Sequence, residues 1–302
     1  MKQSRRLLVT GGNGFVAGSI LARAGDDWEI HGVSRGAPLS KGRFCWHQVD
    51  GLDTDHWADL FRRVRPTAVI HTAALADIDF CEANPEMATA VNLGLTATLA
   101  GMCGQERIKL VFCSTDTVFD GERAPYQESD SPEPLNHYGR TKVEAERRVL
   151  ALGDLGVIAR LSLVMGLPVL GAGNSFVARL LDALAAGRDV AVPEREVRTP
   201  VDVLTLGRAL IELAGSEHSG VFHLSGTERL NRLELSRRIA AAFGFRPDLV
   251  VPVDPAKMAG RAPRPRDVSM AHDRTRRCLA TPMLDLDAGL SSIRRFEQGR
   301  RA

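Results

Sequence analysis

The chain has 302 residues, of which 44% are hydrophobic, so it can bury one large core and a smaller lobe. Its 39 basic and 37 acidic side chains leave a net charge of +2, which gives no electrostatic case for binding nucleic acid. No apolar run approaches the roughly 20 residues that cross a bilayer, and the first residues show no signal-peptide pattern. We therefore expect a cytoplasmic protein without a membrane partner. The cysteines and histidines are scattered without metal-ligand spacing, so no metal site is expected.

The predicted elements alternate between strands and helices from the N-terminus onward. Short apolar runs predict strands near residues 6–10, 28–34, 44–49, 68–72, 109–114 and 157–163. Helical periodicity predicts helices near residues 16–24, 54–63, 85–102 and 138–152. This alternation is typical of an α/β protein with a Rossmann-type, doubly wound parallel sheet covered on both faces.

A glycine-rich turn joins the first strand to the first helix. Its sequence Gly12-x-Gly14-x-x-Ala17 fits the dinucleotide fingerprint, in which glycines let the backbone approach a pyrophosphate at a helix N-terminus. An ordinary strand-to-helix loop is the alternative interpretation. The turn predicts contacts with a dinucleotide cofactor from Gly11, Asn13, Gly14, Phe15 and Val16.

The second strand ends at Ser34 and Arg35, where an NAD enzyme would carry an acidic residue for the ribose hydroxyl. Arg35 can instead make charge-assisted contacts with a 2′-phosphate, so we expect NADP(H) to be preferred over NAD(H). A solvated surface arginine is the alternative. Asp50, at the end of the third strand, is expected to contact the adenine side. Residues 1–165 are accordingly assigned to an NAD(P)-binding Rossmann domain.

Small side chains follow the carboxyl ends of the fourth and fifth strands, where ligands bind in parallel sheets. These positions leave room for a cofactor, and we assign to it Thr72, Ala73, Ala74 and Cys113.

Tyr138 and Lys142 are four residues apart on a predicted helix, so their polar groups can enter one site. A free tyrosine has a pKa of about 10, and a neighbouring ammonium favours the ionised form and lowers that pKa. The pair is therefore predicted to perform acid–base chemistry and to contact the cofactor. A chance Tyr-x-x-x-Lys is the alternative, and only the surrounding motifs argue against it.

Beyond about residue 166 the pattern loosens, and helices are predicted near residues 175–187, 202–214 and 231–243. Val221–Leu224 is expected to return to the main sheet within a segment near 199–226. Residues 166–302 are mainly assigned to a smaller C-terminal substrate-binding lobe. This lobe contains an arginine- and proline-rich stretch, 261–266, which is either a phosphate-binding loop or a solvated connector.

Several of these motifs occur together in a known family. The chain resembles an extended short-chain dehydrogenase/reductase of the dTDP-4-dehydrorhamnose reductase-like branch. The resemblance rests on Thr10-Gly11-x-x-Gly14, His71-Thr72-Ala73-Ala74, the segment Ser114–Gly121, the Tyr138/Lys142 segment and Arg264-Pro265. In this family the Ser-Thr-Asp-x-Val-Phe-Asp-Gly string separates reductases from epimerases and dehydratases. The segment 161–166 departs from the family pattern, which leaves the identity of the substrate open.

The resemblance implies reduction of the 4-keto group of a nucleoside-diphosphate deoxysugar by NADPH, in a protein that is commonly a homodimer. It implies that Tyr138 is the general acid, that Lys142 assists it, and that Thr115 binds the carbonyl oxygen. Asp116 and Arg264 are expected to contact the substrate. Two alternatives stay open, a cofactor-binding regulatory subunit like the β subunit of methionine adenosyltransferase and a nucleotide-sugar epimerase or dehydratase.

Overall fold

The computed structural model describes residues 5–23, 27–170, 175–258 and 260–301. The strands are β1 (Arg5–Thr10), β2 (Trp28–Ser34), β3 (Cys45–Gln48), β4 (Ala68–His71), β5 (Lys109–Thr115), β6 (Gly156–Leu161), β7 (Val164–Met165), β8 (Val190–Pro193), β9 (Val197–Arg198), β10 (Val201–Asp202), β11 (Gly220–Leu224), β12 (Leu230–Asn231) and β13 (Val250–Val253). The helices are α1 (Phe15–Leu21), α2 (Thr54–Val64), α3 (Ile78–Ala83), α4 (Pro85–Thr89), α5 (Leu95–Gln105), α6 (His137–Leu150), α7 (Phe176–Ala185), α8 (Val203–Gly215), α9 (Arg232–Ala242), α10 (Asp273–Cys278) and α11 (Leu286–Arg301).

Seven strands form the main sheet in the order β11-β6-β5-β4-β1-β2-β3, and all of its neighbouring pairs are parallel. From β1 the chain moves outward to β3, crosses back to β4, and then builds the other half of the sheet. This reversal is the mark of a doubly wound sheet, and ligands bind beyond the carboxyl ends of the strands where it occurs. The predicted fold class and the predicted return of Val221–Leu224 to the sheet are confirmed.

Both faces of the sheet are buried, which is why its strands are continuous apolar runs. Leu7 and Val9 of β1 belong to one core, which α1 and α8 cover, and Leu8 belongs to the other, which α2 and α5 cover. Successive side chains of a strand point to opposite faces, so three consecutive apolar residues contribute to two separate cores.

A third core lies in the C-terminal part of the chain. Leu180 and Leu184 of α7 pack there with Leu235 and Ile239 of α9, beside the parallel pair of β8 and β13. We propose on this basis that residues 166–302 mainly form the substrate-binding lobe and residues 1–165 the Rossmann domain.

The helix predicted near residues 85–102 is two helices, α4 and α5, joined by a π turn at Ala90–Gly94. Taken together, Pro85–Gln105 has 21 residues and contains an 18-residue window with a mean hydropathy of 1.2, enough by length and composition alone to cross a membrane. Its Leu95, Leu99 and Cys103 are nevertheless buried against the sheet, as expected of a core helix. The first helix ends at Leu21, and its predicted end at residue 24 lies outside the described residues.

Helix α6 is attached to the sheet by a buried ion pair. The guanidinium of Arg160 in β6 donates two hydrogen bonds to the Glu146 carboxylate of α6, at 3.0 and 2.8 Å, and each side chain is only 3% exposed. Ser114 of β5 donates a third hydrogen bond to Glu146 Oε1 at 2.6 Å. One carboxylate therefore joins α6 to two neighbouring strands.

Replacing Glu146 with alanine leaves the buried charge of Arg160 without a partner, so we expect the free energy of unfolding to fall by about 3–5 kcal/mol. Glu144→Ala is the matched control, because Glu144 pairs with Arg147 on the exposed face of the same helix and should change stability by only about 0.5 kcal/mol. Chemical denaturation measures both values. Equal effects of the two substitutions would contradict this account of the ion pair.

Candidate active site

A cleft of about 770 Å³ opens beyond the carboxyl ends of the central strands. Among the residues singled out in the sequence, those that line it are Asn13, Gly14, Phe15, Val16, Thr72, Ala74, Cys113, Thr115, Asp116, Tyr138, Lys142 and Arg264. The cleft runs from the glycine turn, past α6, to the arginine-rich stretch of the C-terminal lobe. Residues that are far apart in the sequence thus meet in one site.

The glycine turn at one end of the cleft has no space for larger residues. Gly11 has a φ of +69°, and a Cβ there would lie 2.8 Å from the Cα of Ala73. A Cβ on Gly14 would lie 2.9 Å from the carbonyl oxygen of Gly11. Gly14 precedes α1 without a side-chain hydrogen bond to cap the helix, so the first N–H groups stay available to an anion. These features fit the pyrophosphate of a dinucleotide.

The side chain of Asn13 holds the loop that follows β2. Its Nδ2 donates to the Ala37 carbonyl at 2.8 Å, and its Oδ1 accepts from the Leu39 N–H at 3.1 Å. The amide predicted to contact a cofactor is therefore engaged in fixing the loop next to Arg35.

Ser34, Arg35 and Asp50 lie at the ends of β2 and β3 and do not line the cleft. The side chain of Arg35 is exposed, and its carbonyl accepts from Gln48 Nε2 at 3.1 Å. Asp50 is also exposed, and its carboxylate accepts from the Leu52 N–H at 3.3 Å. Their cofactor contacts stay predictions, as do those of the residues that line the cleft.

His71 is a structural residue at the end of β4. Its ring bonds Thr10 Oγ1 at 2.7 Å and Thr96 Oγ1 at 3.0 Å. Burial, and to a smaller extent the charge of Lys142, lowers the pKa of His71 to about 3, so the ring is neutral at physiological pH. Thr72 Oγ1 donates to the Thr10 carbonyl at 2.7 Å, which fixes the start of the loop that lines the cleft.

Asn92 lies in the π turn beneath this loop. Its amide accepts from the Leu75 N–H at 2.8 Å and donates to the Leu75 carbonyl at 3.1 Å and to Thr141 Oγ1 at 3.2 Å. These bonds connect the loop that lines the cleft to α6, so Asn92 positions the loop against the helix.

Lys142, which lines the cleft, is held in place by a backbone carbonyl and an aromatic ring. Helix α6 begins after Asn136, whose side chain caps it by accepting from the Gly139 N–H at 2.8 Å. One turn later, Lys142 Nζ donates to the carbonyl of Cys113 at 2.6 Å and lies 4.0 Å from the ring centroid of Phe112. Burial lowers the pKa of Lys142 to about 8, so its ammonium is still mostly protonated at neutral pH.

Burial raises the pKa of Tyr138 above its ordinary value, and a hydrogen bond with Thr115 opposes this only partly. The net direction is therefore opposite to the lowered pKa predicted for Tyr138, because loss of solvation is the largest cause of the shift. The phenol keeps its proton at neutral pH and can donate it to a base that forms beside it.

Thr115 and Asp116 occupy the end of β5 next to Tyr138. Thr115 Oγ1 accepts from the Thr117 N–H at 3.2 Å, which begins a short 3₁₀ turn. The carboxylate of Asp116 accepts from Ser162 Oγ at 3.4 Å and lies 3.6 Å from Arg198 Nε. Burial raises the pKa of Asp116, and the charge of Arg198 opposes that shift.

The far end of the cleft is lined by five arginines, which are Arg179, Arg198, Arg232, Arg261 and Arg264. Arg264, predicted to bind substrate, donates to the carboxylate of Asp79 in α3 at 2.5 and 2.8 Å. This pair joins the C-terminal loop to the main domain, and a carboxylate already neutralises the guanidinium.

Arg232 is one of the lining arginines that were not predicted from the sequence. It lies 4.0 Å over the Phe176 ring, and its Nε is buried without a hydrogen-bond partner among the described residues. Burial, reinforced by the charge of Arg198, lowers its pKa to about 10. A buried guanidinium with a spare donor favours an anionic ligand. Its place at the start of a predicted helix was visible in the sequence, but the cleft beside it was not.

Comparison with known proteins identifies the family. Residues 5–294 match the model described as the RmlD substrate binding domain. The chain belongs to this family. The predicted branch of the extended short-chain dehydrogenases/reductases is thereby confirmed. A crystal structure of dTDP-4-dehydrorhamnose reductase from Bacillus anthracis in complex with NADP has the same fold, with a TM-score of 0.86 and 24% identity, over 96% of this chain and 99% of that one.

Sequence relatives of this RmlD family member include two reductases. A probable low-salt glycan biosynthesis reductase of Haloferax volcanii is 33% identical over 85% of this chain and 87% of its own length. A dTDP-4-keto-6-deoxy-D-glucose reductase of Streptomyces niveus is 31% identical over 92% of each chain. The predicted enzyme class, an oxidoreductase, is confirmed. The β subunit of methionine adenosyltransferase 2 from Rattus norvegicus is also similar, with 30% identity over 88% of this chain and 80% of its own.

Replacing Gly11 with alanine should damage the glycine turn, because the residue has a positive φ and backbone atoms of Ala73 occupy the space of a Cβ. We expect a loss of about 2 kcal/mol or more in the free energy of unfolding, together with loss of NADPH binding measured by fluorescence titration. Gly36→Ala, in the neighbouring loop with no atom within 4 Å of the new Cβ, is the control and should change neither. Normal NADPH binding by Gly11→Ala would refute the assignment of the turn.

Proposed function

We propose that the protein uses NADPH to reduce the 4-keto group of a nucleoside-diphosphate 4-keto-6-deoxysugar. One observation carries this proposal: Thr115, Tyr138 and Lys142 meet in a single cleft between a glycine turn and an arginine-rich end. The name of the Streptomyces niveus relative supports the substrate class, and the name of the Haloferax volcanii relative supports a reductase. The homodimer that the family resemblance implies and the cytoplasmic location expected from the sequence are part of this proposal.

The cleft suits a reaction in which charge develops on a carbonyl oxygen. Bound NADPH would supply the hydride that adds to the carbonyl carbon. The Tyr138 phenol, protonated at neutral pH, gives its proton to the oxygen as the negative charge forms there, which is general acid catalysis. The Thr115 hydroxyl lies beside the phenol and donates a hydrogen bond to the same oxygen.

Lys142 assists the general acid Tyr138 electrostatically. Its bond to the Cys113 carbonyl keeps the ammonium at one place, where its positive charge favours the tyrosinate that remains after proton transfer. The ammonium has further N–H groups, which we assign to the ribose of the cofactor. Asp116 is assigned to a hydroxyl of the sugar.

The arginine-rich end is assigned to the diphosphate of the substrate. Among the described residues the buried Nε of Arg232 has no hydrogen-bond partner, so Arg232 is our first candidate for a phosphate contact. Arg264 is a weaker candidate than the sequence indicated, because binding a phosphate would have to compete with Asp79. We assign the glycine turn of the cleft to the cofactor and its arginine-rich end to the nucleotide of the substrate.

A second candidate function is a cofactor-binding regulatory subunit without turnover. The similarity to the β subunit of methionine adenosyltransferase 2 favours it. The full set of Thr115, Tyr138 and Lys142 favours the reductase, since binding alone does not need an acid. Net oxidation of NADPH by a keto sugar would distinguish a reductase from a regulatory subunit. An epimerase or dehydratase would instead regenerate its cofactor in each cycle, without net oxidation.

Tyr138→Phe should lower kcat for a 4-keto-6-deoxysugar nucleotide by about 10²- to 10⁴-fold, the usual contribution of a general acid. The change removes one oxygen and leaves the ring packing. NADPH absorbance with a panel of such substrates measures the rate.

Tyr126→Phe is the matched control, because the hydroxyl of Tyr126 accepts from the Gly121 and Glu122 N–H groups, both at 2.9 Å, outside the cleft. The Tyr126→Phe variant should keep the wild-type kcat even when its thermal stability is lower. A Tyr138→Phe enzyme as active as wild type would exclude Tyr138 as the acid, and absence of turnover in wild type with NADPH still bound would favour the regulator.

Arg35→Ala should weaken NADPH selectively, because a charge-assisted contact with the 2′-phosphate is worth roughly 1.5–3 kcal/mol. We expect KM for NADPH to rise about 10- to 100-fold, with KM for NADH unchanged. Lys41→Ala, another exposed cation of the same loop, is the control. A wild-type preference for NADH, or equal losses for both cofactors, would refute the role of Arg35.

A further inference from the structure

Two strands at the outer edge of the sheet bring together four side chains of residue types that commonly bind metals. Glu29 and His31 are two residues apart in β2, and Cys45 and His47 are two residues apart in β3, so each pair lies on one face of its strand. The parallel register places His31 beside Cys45. The sequence spacing conceals this cluster because the two halves are fourteen residues apart.

The donor atoms are close enough to share one ion. One ligand atom each from Glu29, His31 and Cys45 lies within 4.8 Å of the other two. Glu29 Oε1 is 3.2 Å from His31 Nε2. Zinc bonds of about 2.0–2.3 Å place tetrahedral ligands roughly 3.3–3.8 Å apart. Glu29 and Cys45 are exposed, and their side chains would rotate to bring the three atoms to that spacing.

We propose that Glu29, His31 and Cys45 bind a divalent transition-metal ion of the Zn²⁺ type, with His47 as the residue that orients His31. A thiolate, an imidazole and a carboxylate are ligands that zinc accepts together. Three protein ligands leave a fourth position for water. Such a site would be an exception to the expectation from sequence that the chain binds no metal.

His47 supplies the second contact that metal-binding histidines usually have. Its Nε2 lies 2.9 Å from His31 Nδ1, on the opposite side of the ring from Glu29. A proton on His31 Nδ1, donated to His47, leaves His31 Nε2 free to bind the ion. Burial lowers the pKa of both histidines, so both rings are neutral at physiological pH.

Some charges around the cluster favour the binding of a cation and others oppose it. The carboxylate of Glu29 and the thiolate of Cys45 together neutralise a divalent ion, and the thiol proton leaves to solvent on binding. Arg6 repels positive charge at His31, and Arg63 repels it at His47. We therefore expect binding to depend on both anionic ligands.

A bound ion would fasten the edge of the sheet. β3 is the outermost strand and has only four residues, and such edges are the easiest part of a sheet to open. Gln48, the residue after His47, donates to the carbonyl of Arg35. The metal would thus stabilise the strand ends that carry the predicted contacts to the cofactor.

The test is titration of the reduced, metal-free protein with Co²⁺ alone, followed by competition with Zn²⁺. We expect one Co²⁺ per chain, a thiolate-to-cobalt charge-transfer band, and loss of both signals when Zn²⁺ is added. Cys45→Ser should abolish the band and weaken Co²⁺ binding at least 100-fold. Cys278→Ser, a half-buried thiol outside the cluster, is the control and should retain both.

Glu29 is exposed and His47 is half-buried, so substitutions at these two positions test the site without disturbing the core. Glu29→Gln should weaken binding at least 10-fold, and His47→Gln should weaken it by about 10- to 100-fold while the charge-transfer band persists. Circular dichroism confirms that each variant is folded. Absence of saturable Co²⁺ binding, or a charge-transfer band that survives Cys45→Ser, would overturn the proposal, whatever the enzymatic activity of the protein.

Discussion

The site depends on how α6 is fixed to the sheet. Tyr138, Lys142 and Glu146 lie at intervals of four residues, so they share one face of the helix. Glu146 is bound by Arg160 and Ser114, and Lys142 is bound by the carbonyl that precedes Ser114. A helix held at two successive turns cannot rotate or slide, and the phenol one turn earlier is thereby positioned against β5.

These attachments also set the electrostatics of the site. Three cations and two anions beside the cleft are buried with partners: Glu146 with Arg160, Lys142 with a carbonyl and a ring, and Asp116 with Arg198. Pairing is what makes buried charge tolerable. The same burial keeps Tyr138 protonated, so the environment favours a tyrosine that donates a proton over one that accepts it.

The sequence predicted the elements that have strong local patterns. The parallel sheet, the glycine turn and the Tyr138/Lys142 pair followed from periodicity and spacing. It could not predict what depends on contacts between distant segments. Arg264 is neutralised by Asp79, 185 residues away in the sequence. Arg232 enters the cleft only because α9 packs in the lobe, and the pKa of Tyr138 depends on a burial that no motif encodes.

The central claim is that this cleft transfers hydride from NADPH to the keto carbon of a nucleotide sugar. The most direct measurement is incubation with NADPH that carries deuterium at both hydrogen positions of nicotinamide C4 and a nucleoside-diphosphate 4-keto-6-deoxysugar, followed by NMR of the product. The account predicts one deuterium at the sugar C4 for each NADP⁺ formed. A product without deuterium, or binding of NADPH without any oxidation in the presence of the keto sugars, would contradict it.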